Sequence, residues 1–127
     1  MITGIEHAAI ASPDPEALAR WYVAVLGFQV NYFSEKSKTT FVKAPDGSMI
    51  EIVRSNDKPR PPQDPRDPGL RHLAISVSDF QPVYESLKSA GVAFLGEPEI
   101  KGGNNVVFFT DPDGNILHLL QREKPLP

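Results

Sequence analysis

Two stretches of this chain repeat one layout. Residues 5–28, IEHAAIASPDPEALARWYVAVLGF, and residues 70–95, LRHLAISVSDFQPVYESLKSAGVAFL, each hold an apolar strand with His in third place, a polar break containing Asp, an amphipathic helix, a Gly and a further strand. A second match follows in each half, APDGSMIEIVR at 44–54 against DPDGNILHLLQ at 111–121. Both place Pro-Asp-Gly, whose Gly readily takes the positive φ of a tight turn, ahead of an alternating apolar strand. A period of about 65 residues in a chain of 127 permits two similar modules and excludes a solenoid of short units.

The repeat predicts β-α-β-β-β twice. In the first module, strands are expected at 4–10, 28–33, 39–43 and 48–54. Its helix is well marked: Asp14 as N-cap, Pro15 at the first helical position, Leu18, Trp21, Tyr22, Val25 and Leu26 at helical spacing, and Gly27 at the end. In the second module, strands are expected at 71–77, 92–95, 105–110 and 115–121, with a helix over 80–90 opened by Asp79 and closed by Gly91. Module 1 is thus 1–54 and module 2 is 71–127. Residues 55–70, SNDKPRPPQDPRDPGL, form a Pro-rich linker between them, stiff enough to reach roughly 50 Å in polyproline II geometry. That reach allows the modules to pair within one chain or across two.

Side-chain alternation sorts these strands into two faces. Ile5, His7 and Ala9 share a face, as do Met49, Glu51 and Val53; Leu70, His72 and Ala74; and Ile116, His118 and Leu120. The opposite sets, Ile50 with Ile52, Leu73 with Ile75 and Val77, and Leu117 with Leu119, suit packing against the helices, while Glu6 falls with Ala8 and Ile10. All three histidines of the chain, with Glu51, therefore stand at corresponding places on otherwise apolar faces. One such His would read as a hydrogen-bonded core residue, and Glu51 alone as a surface charge. Four matching positions read as a metal site of His7, Glu51, His72 and His118 facing a lined cavity. With no cysteine in the chain, a tight transition-metal site must use imidazole and carboxylate, a donor set suited to Zn, Ni, Co, Mn or Fe. His118 has an alternative role as a base or as a group that orients another ligand.

Other features are read as structural. Helical spacing makes Trp21 and Tyr22 core residues, and Phe28 joins them. Phe33, Phe41, Phe94, Phe108 and Phe109 are each read as core packing rather than cavity lining. Arg54 and Gln121 are read as solvated strand ends, and KGGNN at 101–105 as a loop without the spacing of a phosphate-binding turn. A formal charge of −3 provides no field that would gather nucleic acid or an anionic membrane. The start, MITGIEHAAIAS, lacks the basic residues of a signal peptide, and no apolar run reaches membrane-spanning length, so a cytoplasmic protein is expected.

With these segments in place, the chain resembles the vicinal oxygen chelate superfamily, which includes glyoxalase I, methylmalonyl-CoA epimerase, extradiol dioxygenases, fosfomycin-modifying enzymes and bleomycin-binding proteins. IEHAAI, ARWYVAVLGFQV, APDGSMIEIV, LRHLAISVSD and DPDGNILHLLQ carry the resemblance, over nearly the whole chain. It implies a single α+β domain over 1–127, in which two βαβββ modules form an open, curved half-barrel around a cavity with helices outside. It also implies a homodimer, with the first and last strands of each module supplying the metal ligands. Members similar to glyoxalase I carry a carboxylate at the last ligand position, where this chain has His118. One carboxylate and three neutral imidazoles leave a divalent site net positive, favouring an anionic oxygen; glutathione-binding residues do not map here.

The expected function is that of a glyoxalase-like lyase or isomerase, removing a proton next to a carbonyl of a small oxygenated substrate while the metal stabilises an enolate. Glu51 is the expected base. Two alternatives stand beside it. An Fe(II) extradiol dioxygenase would use His7, His72 and Glu51 but would find His118 in a position that oxygen chemistry needs vacant. A metal-free drug- or metabolite-binding protein of the bleomycin-resistance type would have no use for four ligands.

Overall fold

The computed structural model describes residues 1–127. The first half runs β1 (His7–Ser12), α1 (Pro15–Leu26), β2 (Gln29–Ser34), β3 (Thr39–Lys43) and β4 (Met49–Arg54). The second runs β5 (Leu73–Ser76), α2 (Phe80–Ser89), β6 (Ala93–Phe94), β7 (Glu99–Lys101), β8 (Asn104–Thr110) and β9 (Ile116–Gln121). Contacts divide the chain into two units, Met1–Arg60 and Pro61–Pro127, each with its own sheet. The strand orders are β1-β4-β3-β2 and β5-β9-β8-β6, with β7 pairing with β8. Both sheets are open and mixed, and in each the first and last strands of the module run parallel. This is the α+β fold that the repeat predicts, with β7 added to the second βαβββ module.

The helices form where the sequence marks them. Asp14 caps α1 by accepting the Ala17 N–H at 3.1 Å, and Pro15 follows where a helix has no use for an N–H. Leu18 and Tyr22 then turn to the sheet and are almost fully buried with Ile10, Val42, Ile50 and Ile52. Burial of each such side chain contributes about 1.5–3 kcal/mol. In the second unit Phe80, Tyr84 and Leu87 of α2 are buried, as are Val107, Phe109, Leu117 and Leu119 of the sheet.

Several expectations need correction. β1 begins at His7 rather than residue 4, so Ile5 lies outside the strand and is exposed, and Leu70 does the same ahead of β5. Leu73, Ile75 and Val77 are half-buried rather than core. Asp79 makes no capping bond with its side chain; Gln121 Oε1, at the end of β9, accepts the Phe80 N–H at 2.7 Å instead. Gln121 is therefore a helix cap and not a solvated strand end, whereas Arg54 is exposed and ion-paired with Asp57. The 101–105 run is a hairpin: Lys101 faces Asn104 across Gly102 and Gly103, whose φ values of 58° and 83° meet the two-residue turn's need for positive φ twice. No helix is long and apolar enough to cross a membrane.

The two caps differ in a measurable way. Asp14→Ala should lower stability by about 1 kcal/mol in urea unfolding, and Gln121→Ala should do likewise, while Asp79→Ala should leave the midpoint almost unchanged.

Candidate metal centre

Each module delivers its candidate ligands by the same register. Ala9 lies opposite Glu51 on the parallel β1–β4 pair, and Ala74 lies opposite His118 on β5–β9. His7 stands two residues earlier on β1, hence on the same face as Glu51 and diagonal to it, whereas His72 is exposed just ahead of β5 and is placed beside His118 by their ring contact. The approach to the last strand is also duplicated. Gly47 N–H bonds Ala44 C=O at 2.9 Å and Gly114 N–H bonds Asp111 C=O at 3.0 Å, so the two Pro-Asp-Gly turns close alike. In the second, the buried Asp111 carboxylate accepts from Asp113 N, Asn115 N and Asn115 Nδ2 at 2.8–3.0 Å, which anchors the start of β9.

In the first module, His7 Nε2 lies 3.6 Å from Glu51 Oε1. The other ring nitrogen, Nδ1, is 2.9 Å from Glu6 Oε1. A proton on Nδ1 donated to Glu6 leaves Nε2 with a free lone pair 3.6 Å from the Glu51 carboxylate. Outer carboxylates orient metal-binding histidines by this arrangement. The separation also fits an ion, since bonds of about 2.1 Å in a tetrahedral site set donor atoms about 3.4 Å apart.

In the second module, the His72 and His118 rings lie 4.4 Å apart between centroids, tilted by 53°. His118 Nδ1 is buried and has no hydrogen-bond partner, so an imidazole nitrogen is left with its bonding capacity unused. Its pKa is pushed down to about 4, first by burial and then by the charges of His72, Arg122 and Lys101. Near neutral pH this ring is therefore uncharged, the form in which imidazole binds metal.

Each module thus holds one donor pair, and no cluster of three or more His, Cys, Asp or Glu side chains suited to a metal is gathered. The donor types, the 3.6 Å spacing of His7 and Glu51 and the orphaned His118 nitrogen all suit a divalent transition ion. Two features were misread in the sequence. Glu6 sits just ahead of β1, where alternation does not hold, and its carboxylate reaches His7 instead of facing the helix side. Phe41 and Phe108 lie opposite Glu51 and His118 on β3 and β8, and so on the ligand face. Phe41 meets His7 edge-on at 5.2 Å, and Phe108 contacts His72 at 5.5 Å and His118 at 4.8 Å. The equal sequence spacing from Phe41 to Phe108 and from Glu51 to His118 is the signal that would have found them.

The depressed His118 pKa has a signed consequence. Between the ordinary value of 6.5 and about 4, the unfolded chain binds a proton at this position that the folded chain does not, so stability falls as pH drops through that window. The decline in unfolding midpoint from pH 7 to pH 4 should therefore be shallower in His118→Gln than in the parent; equal slopes would show that His118 does not drive it.

Comparison with known proteins follows the same geometry. Residues 4–119 match the Glyoxalase/Bleomycin resistance protein/Dioxygenase superfamily. The chain is 32% identical to the Bacillus subtilis protein YwkD over 129 residues, covering 96% of this chain and 99% of that protein. It is 30% identical to an ethylmalonyl-CoA/methylmalonyl-CoA epimerase of Cereibacter sphaeroides, covering 95% and 99% of the two chains. The crystal structure of a glyoxalase family protein from Enterococcus faecalis superposes with a TM-score of 0.76 at 30% identity, over 92% of this chain and 96% of that one. The duplicated module and this end-to-end similarity make the chain a member of the Glyoxalase/Bleomycin resistance protein/Dioxygenase superfamily.

Proposed function

We propose that the protein is a metal-dependent lyase or isomerase that removes a proton next to a carbonyl in a small oxygenated substrate. His7, Glu51, His72 and His118 are the ligands, Glu51 is the base, and the working form is a homodimer. The observation that carries this reading is the equivalent register that delivers a pair of lone-pair donors in each module, His7 with Glu51 and His72 with His118. The epimerase relative supports it, because inversion of a carbon centre beside a carbonyl follows from removing its proton and supplying one on the opposite face.

The bound metal supplies Lewis acidity toward substrate oxygens, worth several kcal/mol of charge stabilisation. This chain's residues supply the rest. Glu51 Oε1 takes the proton from the substrate carbon beside the carbonyl, acting as base once substrate is bound. Glu6 holds the His7 ring through Nδ1, so His7 keeps its place when Glu51 changes role. His118 stays neutral at working pH, and the Phe41 and Phe108 rings lie against the imidazoles, where they exclude water and strengthen local electrostatics. A single carboxylate among four ligands leaves the site net positive and selects substrates whose reacting oxygen becomes anionic.

Elemental mass spectrometry on untagged protein should find near-stoichiometric Zn, Ni, Co or Mn, with a sharp fall in His118→Ala. Glu51→Gln should keep much of the metal and lose about a hundredfold or more in turnover, read as solvent deuterium incorporated beside the carbonyl across a panel of thioesters and 2-oxo compounds. A protein that neither carries nor takes up metal would sink this reading, and stoichiometric iron would redirect it to catechol ring cleavage.

A further inference from the structure

A one-residue bulge decides which side chains of β2 share a face with His7 and Glu51. Val30 pairs with Val42 and Tyr32 with Phe41, which leaves Asn31 as an extra residue. Without it, the pairing that starts at Val30 and Val42 would set Tyr32 opposite Thr40 on the helix side, and Phe33 opposite Thr39 at the far end of β3. With it, Tyr32 lies opposite Phe41 and Phe33 opposite Thr40. Bulges re-aim side chains in this way and are common beside active sites. Asn31 ties the bulge to the ligand face by donating from Nδ2 to Met49 Sδ at 3.3 Å.

The exchange does nothing for the core. Phe33, turned to the helix side, is still 42% exposed and Val30 is 51% exposed, with an apolar groove left between them and Ala19, Val23 and Ala24 of α1. A regular strand would have put an equally bulky ring there. What the bulge changes is the ligand face. Phe41 also lies opposite Glu51, so Tyr32, Phe41 and Glu51 form one row across β2, β3 and β4. Tyr32 meets Phe41 edge-on at 5.9 Å, and Phe41 meets His7 edge-on at 5.2 Å. An edge-strand tyrosine is ordinary by itself. This one is aimed by a bulge along a row that ends at Glu51, and it keeps 56% of its surface open.

Neighbouring strands lie about 4.8 Å apart, which sets the Tyr32 backbone about 10 Å from that of Glu51 along this row. A carbonyl held at Glu51 and a ring resting on Tyr32 are bridged by a molecule in which only a bond or two separates them. We propose that Tyr32 and Phe41 form an aryl-binding wall of the site, and that the substrate carries a flat aromatic group within one or two bonds of its reacting carbonyl carbon. The His7, Phe41 and Tyr32 rings stand at 72° and 80° to their neighbours, so a further ring continues the series in the edge-to-face geometry that aromatic pairs prefer. A branched aliphatic group would bury similar area without that gain. The inference rests on the reading of His7 and Glu51 as the reacting centre and adds a substrate class to it.

The probes are benzoylformate, a 2-oxo acid with an aryl group on its carbonyl, and 3,3-dimethyl-2-oxobutanoate, a branched aliphatic counterpart. Neither has a removable proton beside the carbonyl, so binding to the full-length, zinc-treated protein is read without turnover, by NMR titration, with zinc content measured separately. The parent should bind benzoylformate roughly fivefold to tenfold more tightly, with amide shifts centred on β2, β3 and β4. Tyr32→Ala should reduce that preference to about twofold or less at unchanged zinc content, and Tyr32→Phe should keep it. Phe33→Ala, on the other face, should keep it too. Absence of saturable binding, no aryl preference in the parent, a preference untouched by Tyr32→Ala, or shifts confined to the groove under α1 would overturn the inference. Zinc content tests the metal reading apart from it: a protein without zinc that still shows the Tyr32-dependent preference keeps the aryl wall and loses the metal.

Discussion

Parallel pairing between the first and last strand of each module is the constraint on which the rest depends. It joins residues that are far apart in sequence, Ala9 with Glu51 and Ala74 with His118, and repeats one register twice. A slip of one residue in either pair would turn Glu51 or His118 to the helix side. Burial prevents that slip. Ile50 and Ile52 on β4, and Leu117 and Leu119 on β9, are nearly inaccessible, and a shifted register would expose them in favour of a carboxylate or an imidazole.

Each sheet therefore divides its work between two faces. The helix side provides most of the stability, through Tyr22 and Leu18 in one unit and Leu87 and Phe109 in the other. The other side keeps His7, Glu51 and His118 half-buried beside aromatic rings, with His72 exposed, at a cost in desolvation that the apolar side offsets. His118 shows that cost most directly, with a buried, unpartnered nitrogen and a pKa held near 4. The bulge at Asn31 makes the first unit's helix side less closed than its counterpart elsewhere along the sheet, since it adds exposed apolar residues where α1 is lined with small side chains.

The two copies have diverged in ways that follow from local chemistry. One last strand carries Glu51 and the other His118, so the modules are equivalent in geometry but unequal in charge. One helix is capped by its own Asp14, whereas the other borrows Gln121 from the strand beside its His118. The second unit also gains a β7–β8 hairpin through Gly102 and Gly103, which the first unit lacks.

Periodicity, turn residues and the internal repeat were sufficient for the βαβββ order apart from β7, for the α1 boundaries and for placing His7, Glu51 and His118 on the first and last strands, with His72 just ahead of its strand. These are local properties: the period of two and the helical stripe follow from where side chains point along a single element. Tertiary structure decided what depends on neighbours remote in sequence. That Gln121 caps α2, that Glu6 reaches the His7 ring, that Phe41 and Phe108 back the three histidines rather than the core, and that a one-residue bulge opens a groove beneath α1 are set by strand pairing. Alternation within one strand contains no information about which residue of another strand lies across from it, nor about where alternation stops.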